Sequence, residues 1–125
     1  MKIYESGQMY LESIFLLRKN NPNVRSIDIA AFTGYSKPSV SRAVGLLKNA
    51  NLIEISKEGY ITLLPEGEKI AISMYERHTL LTEFFLRIGV SKKIASEDAC
   101  KIEHVISSES FEALKNYYND VLNKY

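Results

Sequence analysis

Tryptophan is absent from this chain of 125 residues, and cysteine occurs once, at Cys100. A lone cysteine excludes an intrachain disulfide framework and fits a reducing compartment, so a cytoplasmic location is expected. Glycine (6) and proline (3) are sparse, which excludes collagen-like and low-complexity compositions. No apolar run exceeds four residues, the longest being 14–17 and 29–32. Neither a membrane span nor a signal-peptide core is therefore expected. No internal repeat is present, so a solenoid is excluded. Nucleophile motifs, Gly-rich phosphate loops and a second acid–base pair are also missing, and the chain is not expected to be an enzyme.

What is present is ordinary in amount and uneven in placement. The length fits one compact domain or two small lobes, with 46% hydrophobic and 25% charged residues. The formal net charge is +1. Between positions 18 and 48, however, stand Arg18, Lys19, Arg25, Lys37, Arg42 and Lys48 against a single acid, Asp28. That stretch carries +5 and the remainder −4. Local charge decides where a polyanion docks, whereas a solvated helical face would explain the charge count alone.

Periodicity reads as helices with one short hairpin, a mainly α fold. Residues 6–19 have a helix-like pattern ending in Asn-Asn-Pro-Asn. Ser26 is a good N-cap for a short helix from Ile27 to about Phe32, which Gly34 can terminate in a left-handed conformation. Ser36 is a second N-cap candidate, and Pro38 suits the first turn of a helix over 37–49. Val40, Val44 and Leu47 give that helix an apolar stripe. Leu52–Ser56 and Tyr60–Leu63 are β-prone and flank Lys57-Glu58-Gly59, a hairpin signal. Pro65 opens a helix to about Ile88. Ser91 starts another to about Ile106, and Ser108 a last one. Phe84, Phe85, Phe111, Tyr117 and Tyr118 offer apolar surface to a partner.

This order is that of a winged helix-turn-helix, expected over 1–64, followed by a helical domain over 65–125. The second motif helix reads base edges with its N-terminal residues. Here those are Ser36, Lys37, Pro38, Ser39, Ser41 and Arg42, all opposite the apolar stripe. Capping chemistry explains Ser36 alone but not the whole basic, hydroxyl-rich face. Arg42 can reach a guanine edge or a phosphate, and Lys37 suits phosphate. Lys57 at the hairpin tip and Arg25 complete the candidate DNA contacts, with double-stranded DNA the expected partner.

A second constellation lies later. Cys100, Glu103 and His104 are spaced to share one helical face and offer thiolate, carboxylate and imidazole to a divalent transition metal. Met9 and Glu12 are three apart on the first helix, and His78 adds an imidazole. Taken singly, Met9 and Cys100 suit a core equally well, and Glu-His pairs are often solvated.

Taken together, Met9-Tyr10-Leu11-Glu12, Val24 to Ala30, Ser39-Val40-Ser41, Leu63 to Ala71 with Gly67, Arg77-His78 and Ala99 to Val105 resemble the DtxR/MntR family of metal-dependent transcriptional repressors. The resemblance spans essentially the whole chain. It implies a homodimer that binds a palindromic operator when metal-loaded and represses metal-uptake genes. It also implies a metal joining the first helix to the dimerisation helices, with Met9, Cys100, Glu103 and His104 as ligands, the types of iron-sensing members. Glu12 and His78 match positions used by manganese-sensing members. The thiolate and thioether favour Fe(II), with Mn(II) the runner-up. Iron-type members carry a further Glu and His at an ancillary site, where this chain has Thr82 and Ser96. Leu64 stands where the family usually has a capping Thr. The SH3-like domain of longer members is expected to be absent, the chain stopping at Tyr125. Two other classes stay open: a winged-helix DNA binder indifferent to metal, and, less favoured, a small metalloenzyme.

Overall fold

The computed structural model describes residues 5–122; the outermost residues of the two expected domains lie outside that range. The elements are α1 (Glu5–Arg18), α2 (Ser26–Thr33), α3 (Lys37–Asn49), β1 (Ile53–Ile55), β2 (Ile61–Leu63), α4 (Pro65–Arg87), α5 (Lys92–Ile102) and α6 (Ser108–Asp120). The fold is mainly helical with a small β-hairpin wing. The chain forms two compact units that divide between Ser73 and Met74, so the first turns of α4 belong to the first unit and the rest to the second. Among the described residues, no helix is long and apolar enough to cross a membrane.

The first unit is built around the stripes expected from the sequence. Leu11 and Ile14 of α1, Ile29 of α2, and Val40, Val44 and Leu47 of α3 bury against Val24, Ile53, Ile61 and Ala71. The spacing of 40, 44 and 47 puts all three on one face of α3, leaving its opposite face to solvent. The two strands pair antiparallel, Ile53 opposite Leu63 and Ile55 opposite Ile61. The wing is tied down twice more. The Ile61 N–H donates to the Val24 carbonyl at 2.7 Å. Arg18 donates Nη1–H to the Ile61 carbonyl at 2.9 Å.

The helix termini show which local signals prevailed. Gly34 is left-handed at φ 80° and donates its N–H to the Ala30 carbonyl, closing α2. Ser26 does not cap α2. Arg25 holds the N-cap position, and Asp28 accepts from its backbone N–H at 2.9 Å. An ionised carboxylate in the first turn makes the stronger bond and also meets the positive end of the helix. Ser36 caps α3 as expected, accepting from the Ser39 N–H.

In the second unit, Met74 and Leu81 of α4, Ala95 and Ala99 of α5, and Phe111 of α6 are buried. Phe111 is thus core and not partner surface. Phe84 meets both Phe85 and Tyr117, with ring centroids 6.5 and 6.3 Å apart. Lys115 of α6 donates to Glu76 of α4 at 2.9 Å. That hydrogen bond, with the charges of Glu76 and Glu112, raises the Lys115 pKa. The fifth helix ends at Ile102, not Ile106, and Glu103 follows as its C-cap in a right-handed conformation.

Candidate metal centre and nucleic-acid interface

The candidate DNA face follows from how α3 begins. Ser36, Lys37, Pro38, Ser39, Ser41 and Arg42 are all exposed. The Ser36 hydroxyl lies 2.9 Å from the Ser39 hydroxyl, so the cap and the helix surface form one polar patch. Upstream, Thr33 Oγ1 accepts from the Tyr35 N–H at 3.2 Å, and the Tyr35 ring lies 6.0 Å from Tyr10 of α1. The turn between α2 and α3 is therefore held by α1, which no local pattern reveals. Lys57 is exposed on the β1–β2 loop. Arg25 is exposed and sits 4.8 Å from the centre of the Tyr60 ring, a cation–π contact that steadies it at the base of the wing. Of the basic cluster, Arg18 points elsewhere: its guanidinium serves the carbonyls of Ile61 and Pro22.

The candidate metal centre in the second unit has Glu103 at its middle. Its side chain is 1% exposed. One carboxylate oxygen, Oε2, lies 3.0 Å from His78 Nδ1 on α4. The other, Oε1, lies 3.3 Å from His104 Nε2, and the His104 side chain is 8% exposed. A buried carboxylate is costly without partners, and here both oxygens have an imidazole. Imidazole and carboxylate suit divalent transition metals. Ligand atoms 3.3 Å apart can share one cation about 2.1 Å from each, so Glu103 Oε1 and His104 Nε2 fit such an ion, while His78 meets the other carboxylate oxygen.

The other expected ligands are placed as follows. Cys100 is exposed on α5. In the first unit, Met9 is half-buried against the core of α1–α3, with the Ser13 hydroxyl 3.5 Å from its sulfur. Glu12, one turn further along α1, is buried. The structure thus brings His78, Glu103 and His104 together within the second unit. His104 departs from the expected helical face, because α5 stops before it and a turn presents it.

One residue beside this centre was legible in the sequence only as part of a shared segment. Arg77 donates Nη1–H to the carbonyls of Glu103 at 3.1 Å and Ile106 at 2.7 Å. Its Nη2 reaches Ser108 Oγ at 3.3 Å.

Comparison with known proteins extends both observations. Residues 64–123 match the family described as iron dependent repressor, metal binding and dimerisation domain. Residues 14–60 match the MarR family. The chain is 37% identical over 106 residues to the transcriptional regulator MntR of Escherichia coli O6:H1, covering 85% of this chain and 68% of that protein. It is 32% identical over 109 residues to the HTH-type transcriptional regulator MntR of Lysinibacillus sphaericus, covering 87% and 78%. Among solved structures, that of the manganese regulator SloR superposes with a TM-score of 0.81 at 26% identity. That match covers 95% of this chain, which spans 55% of the SloR chain. The MarR match stays within α1 to β1 and the wing, whereas the MntR matches run through both units and decide the relationship.

Proposed function

Because the chain belongs to the DtxR/MntR family of metal-dependent transcriptional repressors, we propose that it binds a palindromic operator as a homodimer when loaded with Fe(II) or Mn(II) and represses metal-uptake genes. The observation that carries this reading is the buried Glu103 carboxylate between His78 and His104, inside the segment that matches the metal-binding and dimerisation domain. Met9, Glu12 and Cys100 are the further ligands in this reading. As the resemblance implies, a bound metal would join the first helix to the dimerisation helices. The recognition helices of a symmetric dimer must meet major grooves about 34 Å apart, so fixing a hinge raises operator affinity.

In this reading, Ser36, Lys37, Pro38, Ser39, Ser41 and Arg42 enter the major groove. Arg25 and Lys57 contact the backbone. Fe(II) is the metal favoured by the sulfur of Met9 and Cys100. Mn(II) is the second reading, supported by the nitrogen and oxygen donors gathered around Glu103 and by the likeness to a manganese regulator. Metal-indifferent DNA binding is supported by the packing of Met9 on the first-unit core and by the MarR match.

The test uses a duplex selected from random DNA by metal-loaded protein. Binding is then titrated after metal removal, with Fe(II) and Mn(II) restored separately. Recovery with Fe(II) at lower concentration than Mn(II) is expected. Met9→Asp should reverse that order, because a hard oxygen replaces a soft sulfur. Affinity unchanged by metal removal would select the metal-indifferent reading.

A further inference from the structure

The turn that carries Glu103 and His104 is tied to its own helix only through backbone N–H groups, that of Glu103 donating to the Ala99 carbonyl at 3.0 Å. The fifth helix ends at Ile102, and the turn at 103–106 precedes α6. A short turn of this kind has few internal bonds, here the N–H groups of Val105 and Ile106, both donating to the Ile102 carbonyl at 3.0 Å. Something else must fix the direction of its two side chains.

We propose that Arg77 is the positioning residue of the metal centre. The proposal rests on the reading of Glu103 and His104 as metal ligands. The guanidinium enters the turn from α4 and takes the carbonyls at both of its ends, Glu103 and Ile106. Those two residues bracket His104. Its other nitrogen reaches the Ser108 hydroxyl at the first residue of α6, and the guanidinium carbon lies 5.5 Å from the centre of the Phe111 ring. The planar fork of arginine makes several bonds in fixed directions, which a lysine cannot reproduce. Its charge also faces the negative end of α5.

The next residue on α4 completes the grip. His78 Nδ1 lies 3.0 Å from the Glu103 carboxylate. Arg77 thus fixes the backbone of Glu103 while His78 meets its side chain. A ligand pair held in place before the cation arrives loses less entropy on binding, so Arg77 raises affinity without touching the metal. The same contacts join the turn to α6 at Ser108 and Phe111.

The test compares the full-length parent with Arg77→Lys and Arg77→Ala. Binding of Co(II) is followed by its visible absorption, and amide hydrogen exchange at 103–107 is measured in the metal-free proteins. Far-UV circular dichroism confirms that each variant is folded. Both variants should exchange faster at 103–107. Both should bind Co(II) at least tenfold more weakly, with Arg77→Lys failing to rescue and the absorption spectrum altered. Parental Co(II) affinity and spectrum in folded Arg77→Lys would overturn the proposal. Unchanged exchange at 103–107 would overturn it as well. If the parent itself binds no Co(II), the metal reading fails. Faster exchange in the variants would then still uphold Arg77 as the residue that fixes the turn.

Discussion

At the scale of single residues, the two glycines on either side of the wing make opposite demands. Gly67 lies in the first turn of α4, where an added Cβ would run into the Leu52 carbonyl oxygen and approach Leu11. The same carbonyl accepts the Leu64 N–H at 3.0 Å, so the helix start lies flush on the chain entering β1. Backbone cannot retreat as a flexible side chain can. Gly67→Ala should lower stability by about 1–3 kcal/mol, the usual cost of overpacking. Gly45, in the middle of α3, has open space where a Cβ would stand and an ordinary φ. Gly45→Ala should raise stability by about 0.5–1 kcal/mol, because helical glycine carries that entropic cost. Urea denaturation of both variants checks the pair. Equal effects at the two positions would show that the approach of α4 to Leu52 is not what constrains the first unit.

At the scale of elements, α3 was legible because its signals agree: a serine cap, a proline in the first turn and a stripe at 40, 44 and 47. The same signals define its exposed face. Arg42→Ala should weaken specific operator binding by about 1–3 kcal/mol if the guanidinium reads a base, and all sequences alike if it meets phosphate. Competition binding with specific and scrambled duplexes separates these, and unchanged affinity for both would remove Arg42 from the interface. Where the sequence misled, a partner distant in the chain or a stronger local group prevailed. At the start of α2 the helix begins one residue earlier than a Ser26 cap would place it, with Arg25 at the N-cap and Asp28 accepting from the Arg25 N–H. Val105 and Ile106 continue the apolar pattern of α5, yet the helix ends at Ile102, and Arg77 takes carbonyls of the turn that follows. Arg18 belongs to the basic stretch by position but is drawn to the wing by the Ile61 carbonyl 43 residues away. The candidate ligand types can be read from the sequence, whereas the pairing of His78 with Glu103 depends on how α4 packs, which no local spacing records.

At the scale of the whole molecule, the second unit leaves Ile88, Ile94, Val105 and Tyr117 exposed by 45–66%. These residues lie within the segment matching a dimerisation domain. Sedimentation at micromolar concentration should therefore show a homodimer, and a compact monomer with and without metal would count against a symmetric operator complex. Basal, salt-sensitive binding should depend on the exposed cations of the first unit and not on the metal. It should survive any substitution confined to the metal centre. The most direct test of the account is the affinity of His104→Ala for the selected duplex, with and without metal, at one fixed salt concentration. Metal should strengthen binding by the parent about 5- to 150-fold, the usual range of coupling between two ligands. His104→Ala should keep the metal-free affinity and gain nothing from metal. A His104→Ala protein that responds to metal as the parent does would contradict the centre described around Glu103.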